Sequence, residues 1–294
     1  MSIVEVEKAV NLLQNNEVVA IPTETVYGLA ANALSDEAVA KIYALKTRPQ
    51  FNPLIIHVAS LEQAQQIAAF NKTALELAQK YWPGGLSLVL PKRDKSQFLL
   101  ASAGLDTIAI RVPAHPIAQQ ILQQSGLMLA APSANISGKL SPTLSQHVQA
   151  DFPNLPIVDG GECSVGLEST IIGFDGEQPI LLRAGVLQIE KARNNQSEEI
   201  TSPGQLIRHY APKNPIRINV TEPHSDEFYI GFGDIKCDLN LSADGNLAEA
   251  AKNLFNFLHK ADKMDKKIAV APIPNSSIGT AINDRLQRAF NESA

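Results

Sequence analysis

The chain has 294 residues, 45% of them apolar, and a formal net charge of −5. That suffices for a buried core in one large domain or two, and the acidic balance argues against general attraction to nucleic acid. No apolar run approaches the roughly 18 residues of a membrane span, the acidic start of the chain is unlike a secretory signal, and two distant cysteines with six scattered histidines exclude a disulfide scaffold or zinc-type ligand spacing and fit a reducing cytoplasm.

In chain order, residues 4–13 have helical apolar spacing and 18–21 form a short strand stopped by Pro22. Residues 35–45 read as a helix capped by Ser35 or Asp36, 54–58 as a strand, and 61–70 and 74–81 as helices. Strands follow at 86–90, 108–112 and 127–131, then a short helix at 143–148 and strands at 157–158, 170–174 and 180–182. Several connections are too short for a parallel crossover, so the sheet is expected to be mixed. Residues 190–215 are polar and turn-rich and read as an interdomain connector. Beyond it, strands at 216–220, 228–231 and 268–271 and helices at 247–258 and 278–290 predict a small second α/β domain.

Two short polar clusters carry most of the chemistry. Lys46 and Arg48 sit where Pro49 ends a helix and Asn52-Pro53 leads into an apolar strand. Such cations are usually solvated, but at an element junction a guanidinium fork and an ammonium suit a polyphosphate. Ser133-Ala134-Asn135, followed by Ser137-Gly138 and Ser141, follows an apolar run. Hydroxyls and backbone N–H groups in such loops cradle phosphates, although a turn and helix cap would look similar. Neither a Walker loop nor a dinucleotide fingerprint is present. His57 interrupts a strand and is either structural or a hydrogen-bonding partner for a small ligand. Arg111, among apolar neighbours, needs an anion or acceptor: a structural salt bridge or a ligand carboxylate. The loop Pro22-Thr23-Glu24-Thr25-Val26-Tyr27-Gly28 and the small-residue run Gly166-Leu167-Glu168-Ser169-Thr170 could line a pocket.

Together these segments resemble the threonylcarbamoyl-AMP synthase family, the YrdC-like proteins, in the longer two-domain form. The likeness rests on residues 22–29, Lys46-Thr47-Arg48-Pro49, residues 52–58, Tyr81-Trp82-Pro83-Gly84, Ile110-Arg111-Val112-Pro113, residues 131–138 and residues 166–172. In the connector it rests on Ser202-Pro203-Gly204 and residues 208–212, and near the C-terminus on residues 281–286. Gly85 and Ser87 stand where the family often has proline and threonine, and Ala184 stands where Arg-Pro-Gly is usual.

The resemblance implies an α/β fold, with a YrdC-like mixed twisted sheet and helices in residues 1–190, a linker or lid in 191–214 and a smaller Rossmann-like α/β domain in 215–294. It implies a cytoplasmic nucleotidyltransferase. L-threonine and bicarbonate give N-carboxy-threonine, which attacks the α-phosphate of ATP, releasing pyrophosphate and leaving threonylcarbamoyl-AMP for tRNA modification beside the anticodon. Lys46 and Arg48 are then the catalytic cations on the ATP phosphates. Asn52, Thr107, Ser133, Asn135, Ser141, Arg183, His209 and Tyr210 belong to the nucleotide, and Thr25, His57, Arg111, Ala131 (through its backbone) and Ser169 to threonine. Mg2+ is expected to ride on the ATP phosphates without a protein-built site. Downstream threonylcarbamoyl-transfer proteins are the expected partners, membrane association is not expected, and tRNA binding is expected to be weak or absent. An RNA-binding module is the alternative, disfavoured by the acidic balance and the 5% aromatic content.

Overall fold

A computed structural model describes residues 3–49, 51–195 and 210–290. The first part builds a nine-stranded sheet from β1 (Val19–Ile21), β2 (Gly28–Asn32), β3 (Ile55–His57), β4 (Leu86–Pro91), β5 (Thr107–Arg111), β6 (Leu129–Ala130), β7 (Thr170–Asp175), β8 (Gln178–Arg183) and β9 (Arg193–Asn194). Its order is β1-β2-β6-β3-β5-β4-β7-β8-β9. The pairs β3–β5, β4–β7 and β8–β9 are parallel and the others antiparallel, so the sheet is mixed as expected.

Strand alternation sorts the side chains onto two faces. Ile56, Leu86, Leu88, Leu90, Ile108, Ile110 and Ile172 enter the main core. Helices α2 (Asp36–Lys46), α3 (Leu61–Ile67), α4 (Lys72–Tyr81) and α6 (Ser145–Asp151) supply residues to that core. Ser35 caps α2 by accepting from the Ala38 N–H at 3.3 Å. On the other face, α1 (Val6–Gln14) and α5 (Pro116–Ser125) cover only Val19, Ile21, Ala30 and Leu129 at the β1-β2-β6 end. They stop there. Ile55, Val89, Ala109 and Ile171 form a thin apolar floor beyond them, and above this floor lies a cleft.

The second part is a four-stranded, wholly parallel sheet of order β10-β13-β11-β12, from β10 (Ile216–Arg217), β11 (Glu227–Gly231), β12 (Leu239–Asn240) and β13 (Lys267–Val270). Ile216, Ile230, Ile268 and Val270 share one apolar cluster with α7 (Leu247–Asp262) and α8 (Gly279–Phe290). That cluster also takes in Leu140, Leu167 and Tyr210, so the core of the second part is continuous with loops of the first. The joint is tight. Gly166 has φ +76°, and a side chain there would run into the backbone of Lys252 on α7.

Four elements have no counterpart in the sequence reading, the two-residue β12 among them. The Gly-Leu-Ala-Ala-Asn of β2 carries little strand signal, yet its first four residues are buried. α5 begins at Pro116, three positions after Pro113, and its four glutamines mask the apolar stripe of Ala118, Ile121 and Leu122. β9 lies within the expected connector but pairs with β8. The expected strand at 157–158 amounts to isolated bridges of Ile157 to Ile3 and Ala20.

Candidate functional site

The Lys46-Thr47-Arg48 junction is built by the way α2 ends. Thr47 is left-handed (φ 52°), an uncommon conformation for a β-branched residue, and the N–H groups of Thr47 and Arg48 return to Ala44 O and Tyr43 O. This closes the helix as a Schellman-type turn and sends the two cations different ways. Lys46 is 1% exposed. Its Nζ donates to Ser133 O and Asn135 O, both at 2.6 Å, and to Asn135 Oδ1 at 3.2 Å, which uses all three ammonium hydrogens. Ser133 Oγ donates to Asn135 Oδ1, and Asn135 Nδ2 to Lys139 O, so the Ser-Ala-Asn loop is tied down around the lysine. Burial, and then the nearby Arg48, push the Lys46 ammonium well below the ordinary lysine range. Arg48 reaches the cleft wall, donating to Asn52 O and Pro53 O. Burial pulls its guanidinium down to about 10.

At the opposite end, Arg111 donates from Nε to Gly84 O (3.0 Å), from Nη1 to Thr25 Oγ1 (2.8 Å) and from Nη2 to Glu24 Oε1 (2.5 Å). Glu24 Oε2 accepts from the Ala114 N–H. Burial alone would raise the Glu24 carboxyl, but Arg111 outweighs it and holds the group ionised below its usual range. Thr23 Oγ1 donates to Val26 O, so the Thr25 hydroxyl must be the donor in the 2.9 Å Thr23–Thr25 contact. Thr25 Oγ1 is thereby oriented with its lone pairs toward Arg111. The sequence left two partners open for Arg111. Glu24 supplies the salt bridge, and the guanidinium still lines the cleft. His57, on β3, is buried, and burial followed by the Arg111 charge lowers it to about 3, so the imidazole is neutral. Its Nδ1 has no hydrogen-bond partner.

Between these ends, Arg183 at the end of β8 donates twice to Ser169 O (3.2 and 2.9 Å) and once to Ser169 Oγ (3.1 Å). Ser87 Oγ lies 2.7 Å from Ser169 Oγ, so the serine in place of the usual threonine keeps a hydroxyl at this point. Glu168 accepts from Ser141 Oγ (2.5 Å) through one oxygen and from Arg285 Nε (3.0 Å) through the other. Burial would raise its carboxyl, but Arg285 and Arg183 hold it below the usual range.

The resulting cleft is open to solvent, spans about 580 Å³ with its mouth included, and is lined by Thr25, Arg48, His57, Arg111, Ala131, Ser133, Ser169, Arg183 and Tyr210 among the sequence-predicted residues. Three guanidiniums and one carboxylate face it, and Arg285 compensates that carboxylate from behind. Such an excess of buried positive charge, with neutral hydroxyl and imidazole groups beside it, suits a polyanion together with a small polar molecule.

The remaining predicted residues that the structure describes do not line the cleft itself. Asn52 sits under Arg48, and its Oδ1 is buried without a partner. Asn135 and Lys46 form the underside of the loop, and Ser141 stands behind Glu168. Thr107 lines a neighbouring apolar hollow with Val89, Pro91 and Leu182 on the same sheet face. His209 falls outside the described residues, as does most of the expected lid. Tyr210, buried and at φ +71°, anchors the far end of that segment, and Ala211 N–H donates to Gly138 O. The sequence did not single out Glu24, Glu168 or Arg285. The loops that hold the first two read as pocket linings, and the need of Arg111 for an anion called for a partner without choosing one.

The chain was compared with known proteins. The family model described as telomere recombination matches residues 11–185, and the model for the C-terminal domain of threonylcarbamoyl-AMP synthase matches residues 181–290. The threonylcarbamoyl-AMP synthase of Bacillus subtilis is 37% identical over 97% of this chain and 92% of its own length. That of Pyrococcus abyssi is 37% identical over 96% and 92%. The crystal structure of P. abyssi Sua5 complexed with L-threonine superposes with a TM-score of 0.88 at 36% identity, covering 97% of this chain and 94% of that one.

Proposed function

Since the chain belongs to the threonylcarbamoyl-AMP synthase family, we propose that its cleft holds ATP against Arg48, Arg183 and the Ser133–Asn135 loop, and L-threonine at the Thr25–His57–Arg111 end. The enzyme is of the nucleotidyltransferase type, using L-threonine and ATP to make threonylcarbamoyl-AMP for tRNA modification. The observation that carries the assignment of ends is the distribution of charge along the cleft. Guanidiniums not engaged by a carboxylate of their own lie at one end. A guanidinium already paired with Glu24, beside a neutral histidine with an unpartnered ring nitrogen, lies at the other.

In this reading the threonine amine forms a bond to the carbon of bicarbonate with loss of water, and a carboxylate oxygen of the resulting N-carboxy-threonine attacks the α-phosphorus of ATP. The bond from that phosphorus to the bridging oxygen breaks and pyrophosphate leaves. The nucleophile belongs to the substrate, so the protein's part is positioning and charge stabilisation. Arg48 and Arg183 face the phosphates. Lys46 acts from beneath the loop, aiming Ser133 and Asn135 while its positive charge lies close to the phosphates. Thr25, His57, the Ala131 backbone and Ser169 orient threonine, with Arg111 opposite its carboxylate. Asn52, Thr107, Ser141 and Tyr210 complete the nucleotide side, with His209 assigned there from the resemblance.

Both oxygens of Glu168 are engaged by Ser141 and Arg285, a donor set that does not suit a protein cage for magnesium. Mg2+ would therefore arrive on the ATP phosphates. The same reading divides the chain at 1–190, 191–214 and 215–294, places it in the cytoplasm, hands the product to threonylcarbamoyl-transfer proteins and gives it little affinity for tRNA itself. Among the described residues no helix is long and apolar enough to cross a membrane.

The test is pyrophosphate release from ATP with magnesium, with and without L-threonine and bicarbonate. Release should need all components and fail when serine or glycine replaces threonine. Release independent of threonine from folded protein would remove the reading.

A further inference from the structure

We infer that Arg285, on α8 of the second part, is a positioning residue for the nucleotide side of the cleft, acting through Glu168 and Tyr210. The inference rests on the synthase reading of the cleft, and adds that the site in the first part is incomplete without a side chain from the second.

Arg285 is 1% exposed, the most deeply buried charge in its half of the molecule, and it belongs to no ion pair needed to close its own sheet. Its guanidinium leaves α8 and crosses to the first part. Nε donates to Glu168 Oε2 at 3.0 Å, Nη1 donates to Asp284 at 2.7 Å, and the guanidinium lies over the Tyr210 ring with its carbon 5.3 Å from the centroid. Tyr210 is in turn packed against Phe255 of α7, with ring centroids 5.5 Å apart. Nη2 is buried with no partner.

The targets of these contacts are cleft residues. Glu168 and Tyr210 both line it. The second oxygen of Glu168 takes the Ser141 hydroxyl, so one carboxylate, held by Arg285, orients a nucleotide-side serine. The arrangement is directional. The Nε–H bond takes one carboxylate oxygen and leaves the other to Ser141, and the guanidinium over the ring holds the tyrosine. A purely structural bridge between two lobes would not need to end on two cleft-lining side chains. Without Arg285, nothing from the second part holds the Glu168 side chain or the Tyr210 ring, and Ser141 loses the partner that orients it. The consequence is a selective loss at the nucleotide.

The experiment uses the full chain and measures steady-state KM for ATP and for L-threonine in threonine-dependent pyrophosphate release. The variants are Arg285→Met, Arg285→Lys and Glu168→Gln combined with Arg285→Met. The last removes both charges of the pair and leaves neither stranded, so it reports on positioning even if Arg285→Met alone does not fold. In folded variants Arg285→Met and the double variant should raise KM for ATP about tenfold, with KM for threonine within about twofold of the starting protein. Arg285→Lys should recover part of the ATP affinity. Equal rises in both KM values, or a KM for ATP within twofold of the starting protein in the folded double variant, would overturn the inference. Absence of threonine-dependent release from the unaltered chain would instead overturn the synthase reading, so the two failures are distinguishable.

Discussion

The two sheets bury polar groups in opposite ways. The nine-stranded sheet has one apolar face and one that α1 and α5 cover only in part, and Arg111, His57 and Ser87 project onto the uncovered portion. The four-stranded sheet is parallel throughout and packs its apolar face against α7 and α8, and its deepest charge, Arg285, turns away from its own strands toward the other sheet. The difference teaches where chemistry is placed. A sheet left open on one face can gather side chains from strands distant in sequence, as β3, β5, β7 and β8 do here, at a cost in desolvation that a ligand must repay. A sheet closed by its helices serves as a support.

The sharpest way to break this comparison is at the Glu24–Arg111 pair, whose side chains are 10% and 4% exposed. Arg111→Met strands a buried carboxylate, which should cost about 3–5 kcal/mol of stability and at least about 100-fold in turnover. Adding Glu24→Gln should restore most of the stability and none of the turnover. Urea unfolding midpoints and pyrophosphate release would read the two effects separately. A stability loss under about 1 kcal/mol for the single variant would mean that the pair is not buried as a pair.

Lys46 should behave differently, because it has no carboxylate to strand. Lys46→Met gives up hydrogen bonds to Ser133 O and Asn135 O but also relieves a buried ammonium of its desolvation. Stability should stay within about 2 kcal/mol of the starting protein, since the two terms oppose each other. Turnover should still fall about 100-fold, because the loop loses its anchor and the phosphates a nearby cation. A fall of less than about threefold would take Lys46 out of the mechanism.

These two residues also mark how far the sequence could be read. The apolar periods of β4, β5 and β7 and the cap of α2 are local signals, and the elements they predict are present. Arg111 in an apolar strand announced that it needed an anion, yet nothing local could choose Glu24 from 30 acidic residues, because the pair is 87 positions apart. Lys46 and Arg48 are two residues apart and looked equivalent. The left-handed turn at Thr47 separates them, and a threonine gives no hint of that conformation. Glu168 and Arg285 were opaque for a further reason. Their pairing depends on how α8 docks across the joint, which is set by the packing of Leu167, Tyr210 and Leu254 and not by any pattern within either segment.

The smallest expected effect tests the joint itself. His147 of α6 and His259 of α7 stack with ring centroids 3.8 Å apart and planes 18° from parallel. His147 Nδ1 accepts from the Thr143 N–H, and His259 Nε2 faces Ser141 O at 3.1 Å and so carries a hydrogen; both contacts suit neutral rings. Burial first, helped by the neighbouring histidine and by Lys263 and Lys260, lowers His147 to about 3. Burial also lowers His259 to about 4, against the opposing pull of the Ser141 carbonyl, Asp151 and Asp262. Both folded values lie below the ordinary value near 6.5, so the unfolded chain takes up protons first as the pH falls. The stack's contribution is complete above about pH 6.5 and is lost below it, down to about pH 4 for His259 and about pH 3 for His147, with a slope of up to about 1.4 kcal/mol per pH unit for each ring. Glu24 and Glu168, held below the usual carboxylate range, begin to lose their contribution only below about pH 4.5, so from pH 6.5 down to there the fall belongs to the buried histidines. Urea midpoints measured from pH 7 to pH 4.5 should fall for the starting protein. They should fall less steeply for His147→Phe, which keeps a stacked ring without a titrating nitrogen. An unchanged slope in that variant would mean that protons enter elsewhere, and the two parts would then be joined mainly by Arg285 and the apolar cluster around Tyr210.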